Sequence, residues 1–138
     1  MDVSTPVVIV TGASRGLGRG IAQRVAELGC SVAINYVKNA HEANETIDLC
    51  KQRQINPHQR FVALQADISS TEQRAALVEK TIQEFRRIDV LVNNAGIAPK
   101  VRSDMTEMTE ESFKEVLATN LQGPHFLTQL VVKYWLKN

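Results

Sequence analysis

The residues best suited to chemistry fall in two short segments, each placed directly after an apolar run. The first is Thr11-Gly12-Ala13-Ser14-Arg15-Gly16-Leu17-Gly18, which follows Val7-Val8-Ile9-Val10. Gly12 suits the positive φ of a tight turn, Gly16 removes a side chain where backbone must approach a pyrophosphate, and Gly18 lets the next helix pack close to the strand. Free N–H groups at that helix start face an anion, and the helix dipole adds to the attraction. The chemistry is therefore phosphate binding. The second segment is Asn93-Asn94-Ala95-Gly96, after Val90-Leu91-Val92.

Other reactive residue types point nowhere comparable. His41, His58 and His125 are scattered, with no carboxylate or cysteine at ligand spacing, so a metal site is not expected. Cys30 and Cys50 are too few and too isolated for a disulfide framework or a zinc site, and buried reduced thiols are the expectation. The 16 basic and 15 acidic residues are well mixed and leave a net charge of +1, which gives no footprint for nucleic acid or an anionic membrane. Residues 1–6 show no basic leader region, and the apolar run after them is far short of the ~18 residues that span a bilayer. A soluble cytoplasmic protein is expected.

Strand and helix signals alternate along the 138 residues, as in β-α-β units built on a parallel sheet, with no repeat or linker between them. After the first strand, residues 17–28 read as a helix with Ile21, Val25 and Leu28 inward and Gly29 as its stop. Residues 31–36 make a second strand. Residues 40–54 form a polar helix with Ala43, Ile47, Leu49 and Cys50 inward, ended by Asn56-Pro57. Residues 61–66 are the third strand. Ser70 or Thr71 caps a helix to about residue 86, with Ala75, Leu77, Val78, Ile82 and Phe85 buried, and residues 89–93 are the fourth strand. Right-handed crossovers set the order 3-2-1-4, with a crevice where strands 1 and 4 meet. Residues 97–108 read as a loop over that crevice. A long helix then starts near Thr109, carries Phe113, Val116, Leu117, Leu121, Leu127, Leu130 and Val131, and is broken at Gly123-Pro124.

The T-G-x-x-x-G-x-G spacing after a strand, in register with Asn93-Asn94-Ala95-Gly96 after another, resembles the short-chain dehydrogenase/reductase family. The resemblance runs from Pro6 to about Trp135 and covers the amino-terminal half of a complete member. It implies an α/β fold of the Rossmann type, a doubly wound parallel sheet that ends after the fourth strand and the long helix. Residues 1–138 then form a single, incomplete dinucleotide-binding domain, and the full-length family implies a homo-oligomer.

The family's reaction is hydride transfer between a nicotinamide and a carbonyl or alcohol. It uses a tyrosine acid/base, a lysine that lowers its pKa, a serine and an asparagine. Only the asparagine has a match here: Asn120, in Ala118-Thr119-Asn120-Leu121-Gln122-Gly123, falls where the family's asparagine bends the helix and holds a water in the proton relay. The serine and the Y-x-x-x-K come from the next strand and helix, after the last one seen here. Tyr134 and Lys137 are three apart rather than four and precede any fifth strand, so they are assigned to packing and surface, with Tyr134-Trp135 on a face buried against a partner subunit.

Resemblance also implies the cofactor contacts. Members that bind NAD place an acidic residue at the end of the second strand, which repels a 2'-phosphate. That position is taken as Asn35, beside Tyr36. Arg15 pairs with the 2'-phosphate and Ser14 donates to it, so NADP(H) is expected over NAD(H). The glycine-loop residues Thr11, Gly12, Gly16, Leu17 and Gly18 hold the dinucleotide. Asp67 and Ile68 match the adenine-contacting pair, and Asn94, Ala95 and Gly96 line the adenosine side, with Thr11 tying that turn to the glycine loop.

Ala33 to Tyr36 and Asn93 to Ala98 most resemble beta-ketoacyl-acyl-carrier-protein reductases, although a sugar or other small carbonyl compound stays equally open. Three readings stand: a truncated reductase that is inactive alone, a non-catalytic dinucleotide-binding or interaction module, and a half-protein completed by another chain.

Overall fold

The structure, a computed structural model, describes residues 5–138. The leader-free reading of residues 1–4 lies outside the described residues. Four strands form one parallel sheet: β1 (Val7–Val10), β2 (Ser31–Tyr36), β3 (Phe61–Gln65) and β4 (Val90–Val92), in the order β3-β2-β1-β4. This is the expected order. Val8 and Val10 of β1 face one side and Ile9 the other, so the period-two alternation of a strand divides the core in two. The register between β1 and β4 is set at their start by Asp89, whose N–H donates to the Val7 carbonyl at 2.9 Å and whose carboxylate accepts from the Val7 amide at 2.7 Å.

On the Val8/Val10 side lie α1 (Gly16–Glu27) and α2 (Ala40–Gln52). The inward face of α1 is Gly18, Ala22 and Ala26, small residues at four-residue spacing that bring the helix close to the sheet. Ile21 and Val25 are flanking and only partly buried, and Leu28 is exposed, against the expectation that these three form the inner face. Gly29 follows with φ +89 and closes the helix as expected. In α2 the buried positions are Ala43, Thr46 and Cys50, with Asn39 as cap, accepting from the Glu42 amide. Burial pushes the Cys50 thiol up to about 11, and burial followed by the Asp89 charge raises that of the partly exposed Cys30.

The Ile9 side is covered by α3 (Thr71–Phe85) and α5 (Gly123–Trp135). Ser70 is the cap of α3 and accepts from the Gln73 amide. Leu77, Val78, Leu127 and Val131 are buried beneath these helices, whereas Ala75 is exposed. Arg74 is buried instead: its guanidinium donates to the Ile68 carbonyl at 2.7 Å and to the Thr71 hydroxyl at 3.1 Å, and lies over the Phe126 ring.

The long carboxy-terminal helix is distorted rather than broken, in the turn just before Gly123-Pro124. A first segment, α4 (Glu110–Leu117), is capped by Thr109, and the irregularity comes next, as a π-helical turn over Ala118–Gln122. Gly123 and Pro124 open α5 directly on that turn, with Gln122 and Gly123 in helical conformation and the Gly123 N–H bonded back to the Ala118 carbonyl, so the donor that Pro124 lacks falls within a continuous helix. Glycine at 123 serves close approach, since a Cβ there would stand 2.7 Å from the Ile68 carbonyl oxygen. Tyr134 and Trp135 reach the chain's own α3–β4 connection: Trp135 Nε1 donates to the Ile88 carbonyl at 2.7 Å and the Tyr134 hydroxyl to the Arg86 carbonyl at 3.4 Å, while Trp135 keeps 41% of its surface exposed.

Among the described residues no helix is long and apolar enough to cross a membrane, and no group of three His, Cys, Asp or Glu could hold a metal ion.

Candidate functional site: the glycine turn and its braces

β1 delivers Thr11 to the carboxyl edge of the sheet, where it is fully buried. Its N–H and hydroxyl donate to the Val92 carbonyl at 3.1 and 3.3 Å, and the hydroxyl accepts from the Asn94 and Ala95 amides, both at 3.0 Å. Thr11 thus joins the ends of β1 and β4, as expected. Asn94 completes the joint, with Nδ2 donating to the Thr11 and Gly12 carbonyls at 2.9 and 3.1 Å.

Each glycine of the turn is required for a different reason. Gly12 has φ +61, and a Cβ there would stand 3.0 Å from the Ala95 backbone. At Gly18 a Cβ would stand 2.3 Å from the Gly12 carbonyl oxygen and 2.5 Å from Asn94 Nδ2, so the close packing is against the turn itself. Gly16 has φ +58 and nothing within 4 Å of its Cβ position, which faces open space.

That open space is a cradle of the expected chemistry. The first-turn amides of α1 have no helical acceptor, the cap residue Arg15 supplies no side-chain acceptor, and the turn carries no acidic residue. Arg15 is exposed, with extended backbone and a side chain that has no hydrogen bond or ion pair among the described residues, and Leu17 is 76% exposed beside it. A diphosphate fits this donor set: unsatisfied amides at the positive end of a helix, next to an unpaired guanidinium. Ser14 is half-buried, and its carbonyl, rather than its hydroxyl, makes the bonds to the rest of the chain.

Asn35 does not lie open to a ribose. It is 1% exposed, its Nδ2 donates to the Leu64 and Ala66 carbonyls at 3.2 and 2.9 Å, and its Oδ1 accepts from the Gly12 amide at 3.2 Å. Strand alternation turns residue 35 into the sheet side and leaves Tyr36, half-buried at the last position of β2, nearer the opening. The expected reading role at Asn35 is corrected to one of bracing the glycine turn.

Asp67 and Ile68 follow β3 at the same edge. Asp67 Oδ1 accepts from the Ser69 amide and hydroxyl at 2.9 and 2.7 Å, and Ile68 is buried beneath Gly123. Asn120 sits in the π-helical turn, a distortion frequent at functional sites. Its amide holds the backbone of Ile97, just beyond Gly96, and a Cβ on Gly96 would lie 3.4 Å from Asn120 Oδ1.

Three site residues escaped sequence reasoning. Arg19 and Thr46 brace the glycine turn from α1 and α2, and Arg74 braces the Ile68 carbonyl from α3. A threonine inside the apolar face of α2, one turn before Cys50, was the signal available for Thr46.

The same architecture defines a family. The family model described as short chain dehydrogenase matches residues 6–138, and the chain belongs to the short-chain dehydrogenase/reductase family. It is 39% identical to a 2-dehydro-3-deoxy-D-gluconate 5-dehydrogenase of Dickeya dadantii, over 95% of this chain and 48% of that protein. It is 35% identical to a 3-oxoacyl-[acyl-carrier-protein] reductase of Staphylococcus aureus, over 86% of this chain and 46% of that one. The solved 3-oxoacyl-[acyl-carrier protein] reductase of Brucella melitensis in complex with NAD superposes with a TM-score of 0.86 at 32% identity, covering 96% of this chain and 49% of that one. The chain spans about half the length of the relatives it matches.

Proposed function

We propose that this chain supplies the nucleotide-binding half of an oxidoreductase that moves a hydride between NADP(H) and a carbonyl or alcohol carbon, with 3-ketoacyl reduction among its substrate classes. The observation that carries the cofactor preference is Arg15, exposed and unpaired at the glycine turn, across from a β2 end where Tyr36 stands and no carboxylate repels a phosphate. When bound, the dinucleotide supplies the hydride. The first-turn amides of α1 receive its pyrophosphate, Arg15 and the Ser14 hydroxyl meet the 2'-phosphate, and Asp67 accepts from the adenine amine. Asn94, Ala95 and Gly96 line the adenosine side. The proposal includes a cytoplasmic location, in keeping with the balanced charge, and assembly as a homo-oligomer in the complete protein.

A second reading, a non-catalytic binding module, draws on one observation. Of the four positions the family's reaction uses, Asn120 is the one matched within these 138 residues, and its amide is engaged with Ile97.

Calorimetry with NADPH and NADH tests the first reading. NADPH is expected to bind more tightly. A hydrogen bond to a charged group contributes about 1.5–3 kcal/mol, so Arg15→Ala is expected to weaken NADPH roughly ten- to a hundredfold and to leave NADH nearly unchanged. Equal losses for both cofactors would show that Arg15 does not read the 2'-phosphate.

A further inference from the structure

Two arginines flank the glycine turn, and the fold gives them different surroundings. Arg15 is unpaired and exposed. Arg19, one turn later on α1, is engaged through two of its nitrogens: Nε donates to the Ser14 carbonyl at 3.1 Å and to Thr46 Oγ1 at 3.0 Å, while one terminal nitrogen donates to the Ser14 carbonyl at 2.7 Å and the Glu42 carbonyl at 3.0 Å. Glu45 holds the same nitrogen at 3.1 Å. Thr46, buried on α2, points its hydroxyl at the Ala13, Ser14 and Glu42 carbonyls, at 3.0, 3.1 and 3.2 Å, and shares its single hydrogen among them. Donors from two helices therefore converge on the carbonyls of the two residues that precede Arg15.

We infer that Thr46 and Arg19 are positioning residues for nucleotide selection: they fix the Ala13–Ser14 backbone and thereby aim the Ser14 hydroxyl and the Arg15 side chain at a 2'-phosphate. This rests on the reading that Ser14 and Arg15 meet that phosphate. The turn between Gly12 and Gly16 has two residues of positive φ and a glycine with no neighbour at its Cβ position, so it is a pliable segment in need of external bracing. Asn35 braces its beginning through the Gly12 amide, and Thr46 with Arg19 brace the part that carries the selective side chains. A brace of this kind matters most for the contact furthest along the held segment. Loosening it should cost the 2'-phosphate contact more than the pyrophosphate contact, which is made by backbone amides of α1 itself.

The test is the ratio of NADPH to NADH affinity, by calorimetry on the full chain, for the wild type, Thr46→Val, Thr46→Ser, Arg19→Lys and Arg15→Ala. Both affinities come from one preparation, so a change in folded fraction alone cancels from the ratio. Thr46→Val keeps the side-chain shape and removes the hydroxyl, and is expected to lower the ratio about tenfold. Thr46→Ser restores the hydroxyl and is expected to return it to within about twofold of wild type. Arg19→Lys replaces a two-nitrogen fork by a point charge and is expected to lower the ratio in the same direction, which decides the matter if Thr46→Val does not fold. An unchanged ratio in Thr46→Val or Arg19→Lys, alongside a fall in Arg15→Ala, overturns the positioning role and leaves the reading of Arg15 intact. A wild-type ratio near one, or an Arg15→Ala ratio equal to wild type, removes both.

Discussion

Asn120 closes on the backbone of Ile97 from both sides of its amide: Oδ1 accepts from the Ile97 N–H at 2.8 Å and Nδ2 donates to the Ile97 carbonyl at 2.9 Å. A side-chain amide here replaces the backbone partner that a neighbouring strand would offer. The π-helical turn over Ala118–Gln122 is the device that places Asn120 there, and Gly123 keeps that turn against the Ile68 carbonyl. Crevice walls from three strand ends are thereby joined: Thr11 and Asn94 at β1 and β4, Ile97 to Asn120, and Gly123 to Ile68 after β3.

The first expectation concerns that link. Asn120→Ala removes two exposed hydrogen bonds of about 0.5–1.5 kcal/mol each, so global stability should fall by about 1–3 kcal/mol. Hydrogen exchange at the Ile97 amide should accelerate by at least about tenfold while that at Val92 does not; matched exchange at both positions would mean that Asn120 does not hold this loop.

Asn35 separates two explanations of cofactor choice. Asn35→Asp loses both Nδ2 donors and sets a carboxylate against the Leu64 and Ala66 carbonyls in a site that is 1% exposed. A loss of at least about 2 kcal/mol is expected in urea unfolding, with no gain for NADH. Tyr36→Asp, at the more open end of β2, is the change expected to shift preference toward NADH. A stable Asn35→Asp protein that favours NADH would restore Asn35 as the reader of the ribose.

These residues also show what a sequence carries and what it hides. The strand order and the positive φ at Gly12 follow from local patterns, because alternation and glycine spacing are local properties, whereas the tie between Thr11 and the Asn94 turn is implied by the family resemblance. Thr46, Arg74 and Arg19 do not, because hydrophobic periodicity counts apolar residues and passes over a buried polar one whose partners are carbonyls far away in sequence. Asn35 was misplaced for a related reason. The end of a strand is visible in sequence, but which of two consecutive residues faces the opening depends on the sheet's register. A distortion near Gly123-Pro124 is legible from the proline, which lacks a helical donor, but its form, a π-helical turn over Ala118–Gln122 that keeps the helix continuous, is not.

Asp89 gives a pH dependence with a definite sign. Burial opposes its ionisation, but hydrogen bonds from Arg87 and from the Val7 amide outweigh burial and hold the carboxyl below its usual 3.8. A depressed folded-state value means that the stabilisation is fully present above about pH 4 and is lost as pH falls through the lower, folded value. Asp89→Asn is expected to cost about 1–2 kcal/mol at pH 7, allowing for partial screening, and to cost progressively less toward pH 2. Urea titrations at both pH values check this, and a pH-independent loss would rule it out.

Carbonyl reduction by these 138 residues alone should be undetectable at rates typical of the family. No tyrosine stands four before a lysine, and Tyr134 is turned to the Arg86 carbonyl. Loss of general acid/base help alone lowers rates ~100- to 10,000-fold. Enzyme-dependent oxidation of NADPH with any panel of ketones would refute the expectation.

Solution behaviour follows from what the fold leaves bare. β4 is an outer strand, three residues long, and its first residue, Val90, is 43% exposed. Its free edge offers backbone donors and acceptors to any chain that can align with them. Above it the apolar stripe of the carboxy-terminal helices divides. Leu127 and Val131 are covered by α3 and the sheet, but Phe113 and Leu121 are 53% and 62% exposed, with Leu117 between them. The covered half explains how α5 stays docked, with Trp135 anchored at the Ile88 carbonyl. The bare half and the strand edge together favour self-association, since exposed edges and contiguous apolar patches are the usual aggregation sites. Sedimentation at tens of micromolar is expected to show oligomers, and Leu121→Lys with Phe113→Glu is expected to shift the population toward monomer without moving the Trp135 emission. A monodisperse wild-type monomer under those conditions would mean that α4 and the π-helical turn close over β4 in solution more completely than their exposure here implies.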